Sequence, residues 1–261
     1  CSMSFLQLDL PADQVADKTV RRALIDAILE RTPTGPGRGQ RSARKARKVG
    51  EALGVKVATD GASPSVLHAL GIPLNWAERC EDAAHVGHDG TNDSLSLRLE
   101  WLRANQFSNF HEKITQLGSY GGGNHFGECE VVRLLDNDRA RATGEVFGLR
   151  DGFVGFRSHC GSRGFGHALA SGQFHALQQK FAAWDIPLPG DDKELVYAPL
   201  GTPEADAYLD DMALGVNFAT VNHLLINALV LEAFQDEAPA AYKDFDAVIV
   251  SSAFPSSRLF T

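Results

Sequence analysis

Two histidines, His125 and His159, stand beside glycine-rich stretches, an arrangement that could present an imidazole at a bend of the chain. His125 follows three glycines and Asn124 within the segment LGSYGGGNHFGE, residues 117–128. Glycine has no side chain, so the backbone here can approach a ligand closely, and neutral imidazoles bind zinc, manganese or iron. The segment therefore predicts either a metal ligand or a glycine-rich hairpin that carries a surface histidine.

The second histidine lies in the segment FRSHCGSRGFGH, residues 156–167, where a short apolar strand (152–157) runs into a glycine-rich turn. A helix is expected from about 166 to 184. Free amides at a helix start, the hydroxyl of Ser162 and the guanidinium of Arg163 together suit a phosphate. The alternative is an ordinary strand-to-helix turn whose His159 is hydrogen-bonded in the core. The segment matches neither a Walker loop nor a GxGxxG fingerprint.

These loops must be positioned by a mixture of strands and helices. Apolar residues alternate or recur at helical spacing, which predicts both kinds of element. The predicted strands are 4–10, 128–135 and 247–250, and the predicted helices are 20–29, 75–83, 93–105 and 204–235. They alternate without a strict βαβ rhythm, which indicates an α+β (mixed α/β) class and a single domain over residues 1–261.

The bulk properties are those of a soluble protein. The chain is 44% hydrophobic and 22% charged with a net charge of −8, which argues against a surface that coats nucleic acid throughout. No N-terminal stretch has the charged, apolar and small-residue layout of a signal peptide, and we expect no run of about 18 apolar residues that could cross a bilayer. The four scattered cysteines suit a reducing compartment. We expect a cytoplasmic protein with no membrane partner.

One local exception to the acidic balance is a run of six cations within eleven residues. A run of this kind usually forms a solvated face, and phosphate contact is the alternative. The six are Arg38, Arg41, Arg44, Lys45, Arg47 and Lys48.

Residues 121–128, GGGNHF followed by Glu128, resemble the GGGNHF-x-E signature of the RtcB family of RNA-splicing ligases. Residues 159–166 resemble that family's HSGSRGLG loop, with Cys160 for serine and Phe165 for leucine. Residues 33–37 are similar to its P-x-G-x-G element, and residues 1–3 resemble the end of a D-x-x-C-G-M metal motif. In the long helix, residues 217–223 resemble an A-x-N-x-A-x-x-N-R segment, with histidine replacing arginine. The elements follow the family's order over nearly the whole chain.

The resemblance implies an RtcB-like fold, with central β-sheets flanked by helices, and ligation of RNA ends bearing a 3′-phosphate or 2′,3′-cyclic phosphate to 5′-hydroxyl ends. It implies Mn²⁺ and GTP as cofactors, tRNA halves or broken RNA as partners, and a guanylated histidine. By the same resemblance, Cys1, His125 and His159 would bind metal. Asn124 and Glu128 would contact the guanine nucleotide, and Ser162 and Arg163 the phosphate.

Three departures from the family pattern lead us to expect a chain truncated at both ends. The aspartate expected before Cys1 is outside the sequence, and residues 251–254 are SSAF where the family carries a histidine-asparagine pair. The histidine that accepts GMP has no counterpart here, so no catalytic residue is assigned and the chain alone should be inactive. Two alternatives stay open: a phosphate- or nucleotide-binding module without ligase chemistry, and a metallohydrolase.

Overall fold

The protein is described here by a computed structural model that covers residues 2–185 and 195–238, and the backbone of 247–252. Four strands form one antiparallel sheet with the order β2–β3–β1–β4. They are β1 (Ser2–Pro11), β2 (Phe126–Val131), β3 (Phe153–Cys160) and β4 (Ala247–Ser252). Together with the helices, this sheet confirms the mixed α and β class.

Eight α-helices lie within the described residues. They are α1 (Lys18–Arg31), α2 (Glu51–Asp60), α3 (Pro64–Leu70), α4 (Asn92–Asn105), α5 (Phe110–Ile114), α6 (Asp138–Phe147), α7 (Arg163–Lys180) and α8 (Pro203–Glu237). Side-chain caps mark several starts: Asp17, Asn137 and Thr202 each accept a hydrogen bond from the first-turn amides of α1, α6 and α8. Such caps satisfy amides that have no partner inside the helix.

Most of the predicted elements are confirmed, with four differences. Residues 75–83 form no α-helix, since only a 3₁₀ turn (Leu74–Arg79) follows Pro73. The strand predicted for 128–135 is β2, which begins and ends earlier. The strand predicted for 152–157 continues to Cys160, and α7 begins at Arg163 instead of near residue 166. Helices α2, α3, α5 and α6 were not predicted.

Helix α8 corrects the expectation about apolar runs. By length and composition it is the one helix among the described residues that could cross a membrane, yet 78% of its apolar window is buried inside the protein. It packs against the sheet and against helices α1, α2, α4 and α7. The apolar composition is accounted for by this packing, because such a central helix is enclosed by protein on most sides.

The sheet has an inner face toward α8 and an outer face away from it. Because successive strand residues point to opposite sides, β1 and β3 each contribute alternate residues to each face. On the inner face, Leu6, Leu8, Phe156 and Cys160 are buried to 2% exposure or less. The outer face carries Met3, Phe5, Arg157 and His159, which are only partly buried. The predicted site residue His159 therefore lies on the more accessible face.

The basic run is largely neutralised by carboxylates from three helices. Lys45 and Arg47 form ion pairs with Asp236 and Glu232 near the end of α8. Arg44 pairs with Glu30 of α1, and Arg41 pairs with Glu112 of α5. These four pairs favour the prediction of a solvated surface segment over a continuous phosphate-binding patch.

Candidate metal and phosphate site

The structure brings His125 and His159 together, with 5.9 Å between their ring centroids and 56° between the ring planes. The cause is the antiparallel pairing of β2 with β3, in which Phe126 is directly opposite His159. His125 immediately precedes β2, so its ring lies at the same end of the sheet as the end of β3. Two imidazoles that are 34 residues apart in the sequence therefore lie next to each other in the fold.

Neighbouring side chains fix the orientation of His159. Its Nδ1 lies 2.9 Å from the Met3 sulfur, and its Nε2 lies 3.5 Å from the side-chain nitrogen of Asn124. Phe126 stacks on the same ring, with centroids 5.7 Å apart and planes 24° from parallel. Asn124, His125 and His159 therefore form one cluster at the end of the outer face.

Residue 121 must be glycine because two side chains approach its backbone closely. A Cβ at residue 121 would overlap both His125 Nδ1 and Arg163 Nη1. Glycine leaves the space in which the ring of one loop and the guanidinium of the other approach each other. Gly123 has a φ of 72°, a backbone conformation that side chains disfavour, so glycine is needed at the turn itself.

Arg163 connects three loops and not only the two that carry histidines. It is 8% exposed, and its φ of 56° is unusual for a residue other than glycine. The guanidinium donates to Ser119 Oγ at 3.0 Å and to the carbonyls of Gly35 and Arg38 at 3.2 and 3.1 Å. These bonds hold the predicted P-x-G-x-G loop, residues 33–37, against the start of α7 and offset the backbone strain.

The remaining Nη1 of Arg163 faces His125 across Gly121. Burial, followed by the charge of Arg163, lowers the pKa of His125. A lowered pKa keeps this imidazole neutral, and the neutral form is the one that binds metal ions. The electrostatics of the pair therefore suit a ligand role for His125, which stays a prediction.

A pocket of about 390 Å³ opens beside His125 and Arg163. Lys113 and His167 also line it, and sequence reasoning missed both in this role, since His167 resembles an ordinary helix-face residue. Pro36 and Gly37 form another wall, which gives the 33–37 loop a place at the site. Two cationic side chains, Arg163 and Lys113, line the pocket together with the carboxylate of Glu112, and the cations could contact an anion there.

Ser162 lies on a different opening from Arg163, although the two were predicted to bind phosphate together. It precedes α7 without capping it, and it lines the groove between α7 and α8. Arg163 lines the pocket beside His125. The structure thus separates the two predicted phosphate contacts, and both assignments stay predictions.

Glu128 lies on the outer face of β2, on the same side of the sheet as His159. Its carboxylate pairs with Arg157 of the neighbouring strand, and Glu130 pairs with the same guanidinium at 2.6 Å. The hydrogen bond with Glu130, followed by that with Arg157, lowers the pKa of Glu128. The carboxylate is exposed and ionised near the site, and its predicted contact with the guanine nucleotide stays a prediction.

The third predicted metal ligand, Cys1, lies outside the described residues. Within the described residues, no group of three or more His, Cys, Asp or Glu side chains could hold a metal ion. The end of β4 also reaches this position, because Ser252 pairs with Met3, whose sulfur contacts His159. The place where the resemblance expects a histidine-asparagine pair is therefore near the site and begins with serines; residues 253 and 254 are outside the described part.

Behind the site, on the inner face, lies a fully buried polar network. His223 of α8 contacts Ser4 Oγ through Nδ1 at 3.0 Å and the Cys160 sulfur through Nε2 at 3.3 Å. Asn227 donates to the same Ser4 hydroxyl at 3.1 Å. Burial raises the pKa of Cys160 to about 12 and lowers that of His223 to about 4. Both groups are therefore neutral, and they attach α8 to the sheet.

Comparison with known proteins agrees with the resemblance drawn from the motifs. The family model described as "tRNA-splicing ligase RtcB" matches residues 1–236. Curated proteins of that name are similar to this chain: one from Pyrobaculum aerophilum is 32% identical over 241 residues, and one from Pyrococcus abyssi is 30% identical over 239. A third, from Thermococcus kodakarensis, is 28% identical over 250 residues.

These matches cover 90% of the chain for the first two relatives and 96% for the third. They cover 44%, 23% and 47% of the relatives' own lengths, so the chain spans less than half of each. The family match nevertheless includes both histidine loops and the whole of α7. On these sequence motifs, this geometry and this coverage, the chain belongs to the RtcB family of tRNA-splicing ligases.

Proposed function

We propose that this chain carries the metal-binding part of an RNA ligase site, one that joins a 3′-phosphate or 2′,3′-cyclic phosphate end to a 5′-hydroxyl end with Mn²⁺ and GTP. The observation that carries the proposal is the meeting of His125 and His159 at 5.9 Å between ring centroids in a chain of the RtcB family. The RNA substrate, the nucleotide and a cytoplasmic location are parts of the same proposal.

Among the described residues, the two imidazoles are the groups that would bind the metal ion. His125 and His159 would supply two imidazole ligands, and Cys1 would supply a thiolate, which is the set that the family resemblance implies for Mn²⁺. A bound divalent ion would neutralise phosphate oxygens and so reduce their repulsion of an attacking hydroxyl. The partial burial of His125 and its lowered pKa favour such binding, because an imidazolium cannot act as a ligand.

The residues around the imidazoles would bind and orient the other reactants. Arg163 and Lys113 line the pocket beside His125 and would contact the phosphate of the RNA end. Asn124, beside His159, and Glu128, on the same face, would contact the guanine nucleotide. Ser162 would contact phosphate from the groove between α7 and α8.

Two other functions use the same site differently. A nucleotide- or phosphate-binding module would have the metal site without RNA-end chemistry. A metallohydrolase would need a carboxylate free to activate water near both histidines, and the motif-linked candidate, Glu128, is ion-paired with Arg157. This ion pair favours the ligase over the hydrolase.

The test is a binding experiment with RNA oligonucleotides that end in a 3′-phosphate, a 2′,3′-cyclic phosphate or a 3′-hydroxyl. In the presence of Mn²⁺, we expect the phosphate ends to bind at least about tenfold more tightly, which corresponds to about 1.4 kcal/mol. His125→Ala should remove this preference. Equal affinity for all three ends together with GTP binding would favour the module, and release of inorganic phosphate would favour the hydrolase.

A second measurement concerns the nucleotide. Incubation of this chain with labelled GTP and Mn²⁺ should leave no covalent adduct, because the histidine that would accept GMP has no matching position in the sequence. A labelled band would show that the accepting residue is within the chain and would overturn that assignment.

A further inference from the structure

Asn222 of α8 contacts both loops that carry the histidines of the site. It is fully buried, with 0% exposure. Its side-chain nitrogen lies 3.3 Å from the carbonyl of Ser119 and 3.1 Å from that of Gly161, and its side-chain oxygen accepts from the Ser119 amide at 3.4 Å. One amide group therefore bonds to the backbone of residues 119 and 161, which precede and follow the two histidines.

Ser119 extends this connection to the guanidinium of the second loop. Its hydroxyl donates to carbonyls of Gln116 or Arg38, at 2.7 and 3.0 Å, and accepts from Arg163 Nε at 3.0 Å. The next residue, Tyr120, contacts Ser158 through its hydroxyl at 2.9 Å. The glycine-rich loop is thus attached to β3 and α7 immediately before its glycines begin.

We propose that Asn222 is a positioning residue that holds His125 and His159 at the separation a shared metal ion requires. Asn222 touches neither imidazole, so it acts through the backbone of the two loops. A buried amide with its donors and acceptor satisfied gives a rigid connection, because breaking it would leave backbone groups without partners away from water. This inference rests on the proposed metal-binding role of the two histidines.

The same helix offers a matched control in Asn217. It is also 0% exposed and also bonds to backbone groups, donating to the carbonyls of Ala58 and His85 at 3.0 Å each and accepting from the His85 amide at 2.7 Å. These partners belong to α2 and to the loop after the 3₁₀ turn, away from both histidine loops. Loss of either amide should destabilise the fold, but only loss of the Asn222 amide should disturb the site.

The experiment compares Asn222→Ala with Asn217→Ala in the full chain. Binding of Mn²⁺ is measured by electron paramagnetic resonance, and Co²⁺ is added separately to record its visible absorption. We expect both variants to have a lower Tm, Asn222→Ala to bind Mn²⁺ at least about tenfold more weakly, and Asn217→Ala to stay within about twofold. The Co²⁺ spectrum should change in the first variant alone.

Equal Mn²⁺ affinity in the two variants, with unchanged Co²⁺ spectra, would overturn the positioning role while leaving the metal site intact. If Asn222→Ala does not fold, Asn222→Ser keeps a polar group that is too short to bond both loops, and the same comparison applies to it. If the unsubstituted chain binds no Mn²⁺, or if His125→Ala binds it equally well, the proposed function itself fails and this inference fails with it.

Discussion

His159 and Cys160 are neighbours in β3, yet they belong to very different environments. His159 lies on the outer face of the sheet beside Met3, Asn124 and His125, where its ring is only partly buried. Cys160 lies on the inner face, fully buried against α8. The outer face collects groups that can bind ligands, and the inner face collects groups that hold the sheet in place.

Because of this difference, residues on the outer face are available to bind a ligand while residues on the inner face stabilise the sheet. Apolar side chains and the buried network of His223, Ser4 and Cys160 fill the inner face, so the register of β1 and β3 depends little on the outer residues. The outer face then tolerates exposed charge, such as Glu128 paired with Arg157. Stability and ligand binding should therefore respond to different substitutions, and adjacent residues provide the sharpest tests.

The largest expected effect is a loss of stability, and it distinguishes the inner face of β1 from its outer face. Leu6→Ala removes a side chain with 0% exposure and should lower the free energy of unfolding by about 3 to 5 kcal/mol. Phe5→Ala, on the partly buried outer face, should lower it by about 1 to 2 kcal/mol. Urea unfolding of both variants measures the difference, and equal losses would contradict the assignment of faces.

The buried imidazole of the inner face should make the protein sensitive to acid. The pKa of His223 in the fold is about 4, below its ordinary value of 6.5. Between these two values the unfolded chain binds the extra proton, so stability is lost as the pH falls from 6.5 toward 4. The loss should be on the order of 3 kcal/mol at roughly 1.4 kcal/mol per pKa unit.

His223→Gln should flatten this part of the stability curve, because the variant has no imidazole to protonate there. Urea unfolding at a series of pH values gives the slope, and His175→Gln, which changes an exposed residue of α7, is the control. An unchanged slope in His223→Gln would mean that another group determines the acid sensitivity.

A third pair of variants uses the two neighbours in β3. His159→Ala should weaken Mn²⁺ binding at least about tenfold and change the free energy of unfolding by less than about 1 kcal/mol. Cys160→Ala should have the opposite profile, with a loss of about 1 to 2 kcal/mol in stability and little change in Mn²⁺ affinity. Calorimetric titration and urea unfolding check both, and a large loss of metal affinity in Cys160→Ala would argue against the separation of faces.

The smallest effect is expected for Arg157→Gln on the exposed part of the outer face. Exposed ion pairs contribute little to stability and are screened by salt. The unfolding midpoint should shift slightly at low salt and return to that of the unsubstituted protein at high salt. A large, salt-independent loss would indicate that Arg157 supports the fold of β2 and not only its carboxylates.

Several elements could be predicted from the sequence because their patterns are local. Strand β1 and helices α1, α4 and α8 have clear apolar periodicity, and each is found where it was predicted. Helix α6 has only two large apolar residues, Val146 and Phe147, and α5 is only five residues long, so neither presents the run of apolar positions from which the other helices were predicted. In α2, Gly54 lies against the Ile114 carbonyl, a tertiary contact that favours glycine despite its low helix propensity.

The histidine loops illustrate the same limit within the site. Their glycines and their similarity to the RtcB family were visible in the sequence, and they marked His125, His159 and Arg163. The separation of Ser162 from Arg163, the pairing of Glu128 with Arg157 and the place of Lys113 at the pocket were not visible. Each depends on a contact between segments that are far apart along the chain or on the direction of a helix.

By itself, the sequence determined the family, the alternation that sends His159 and Cys160 to opposite sides of a strand, and the glycines that allow close approach at residue 121. The alternation and the effect of the glycines follow from covalent geometry and local backbone preferences, which need no distant partner. The family follows from the motifs. Only the tertiary structure decided that the two imidazoles meet and that Asn222 joins loops 103 residues and 61 residues away. Such meetings depend on the free energy of packing the whole chain, which no local pattern records.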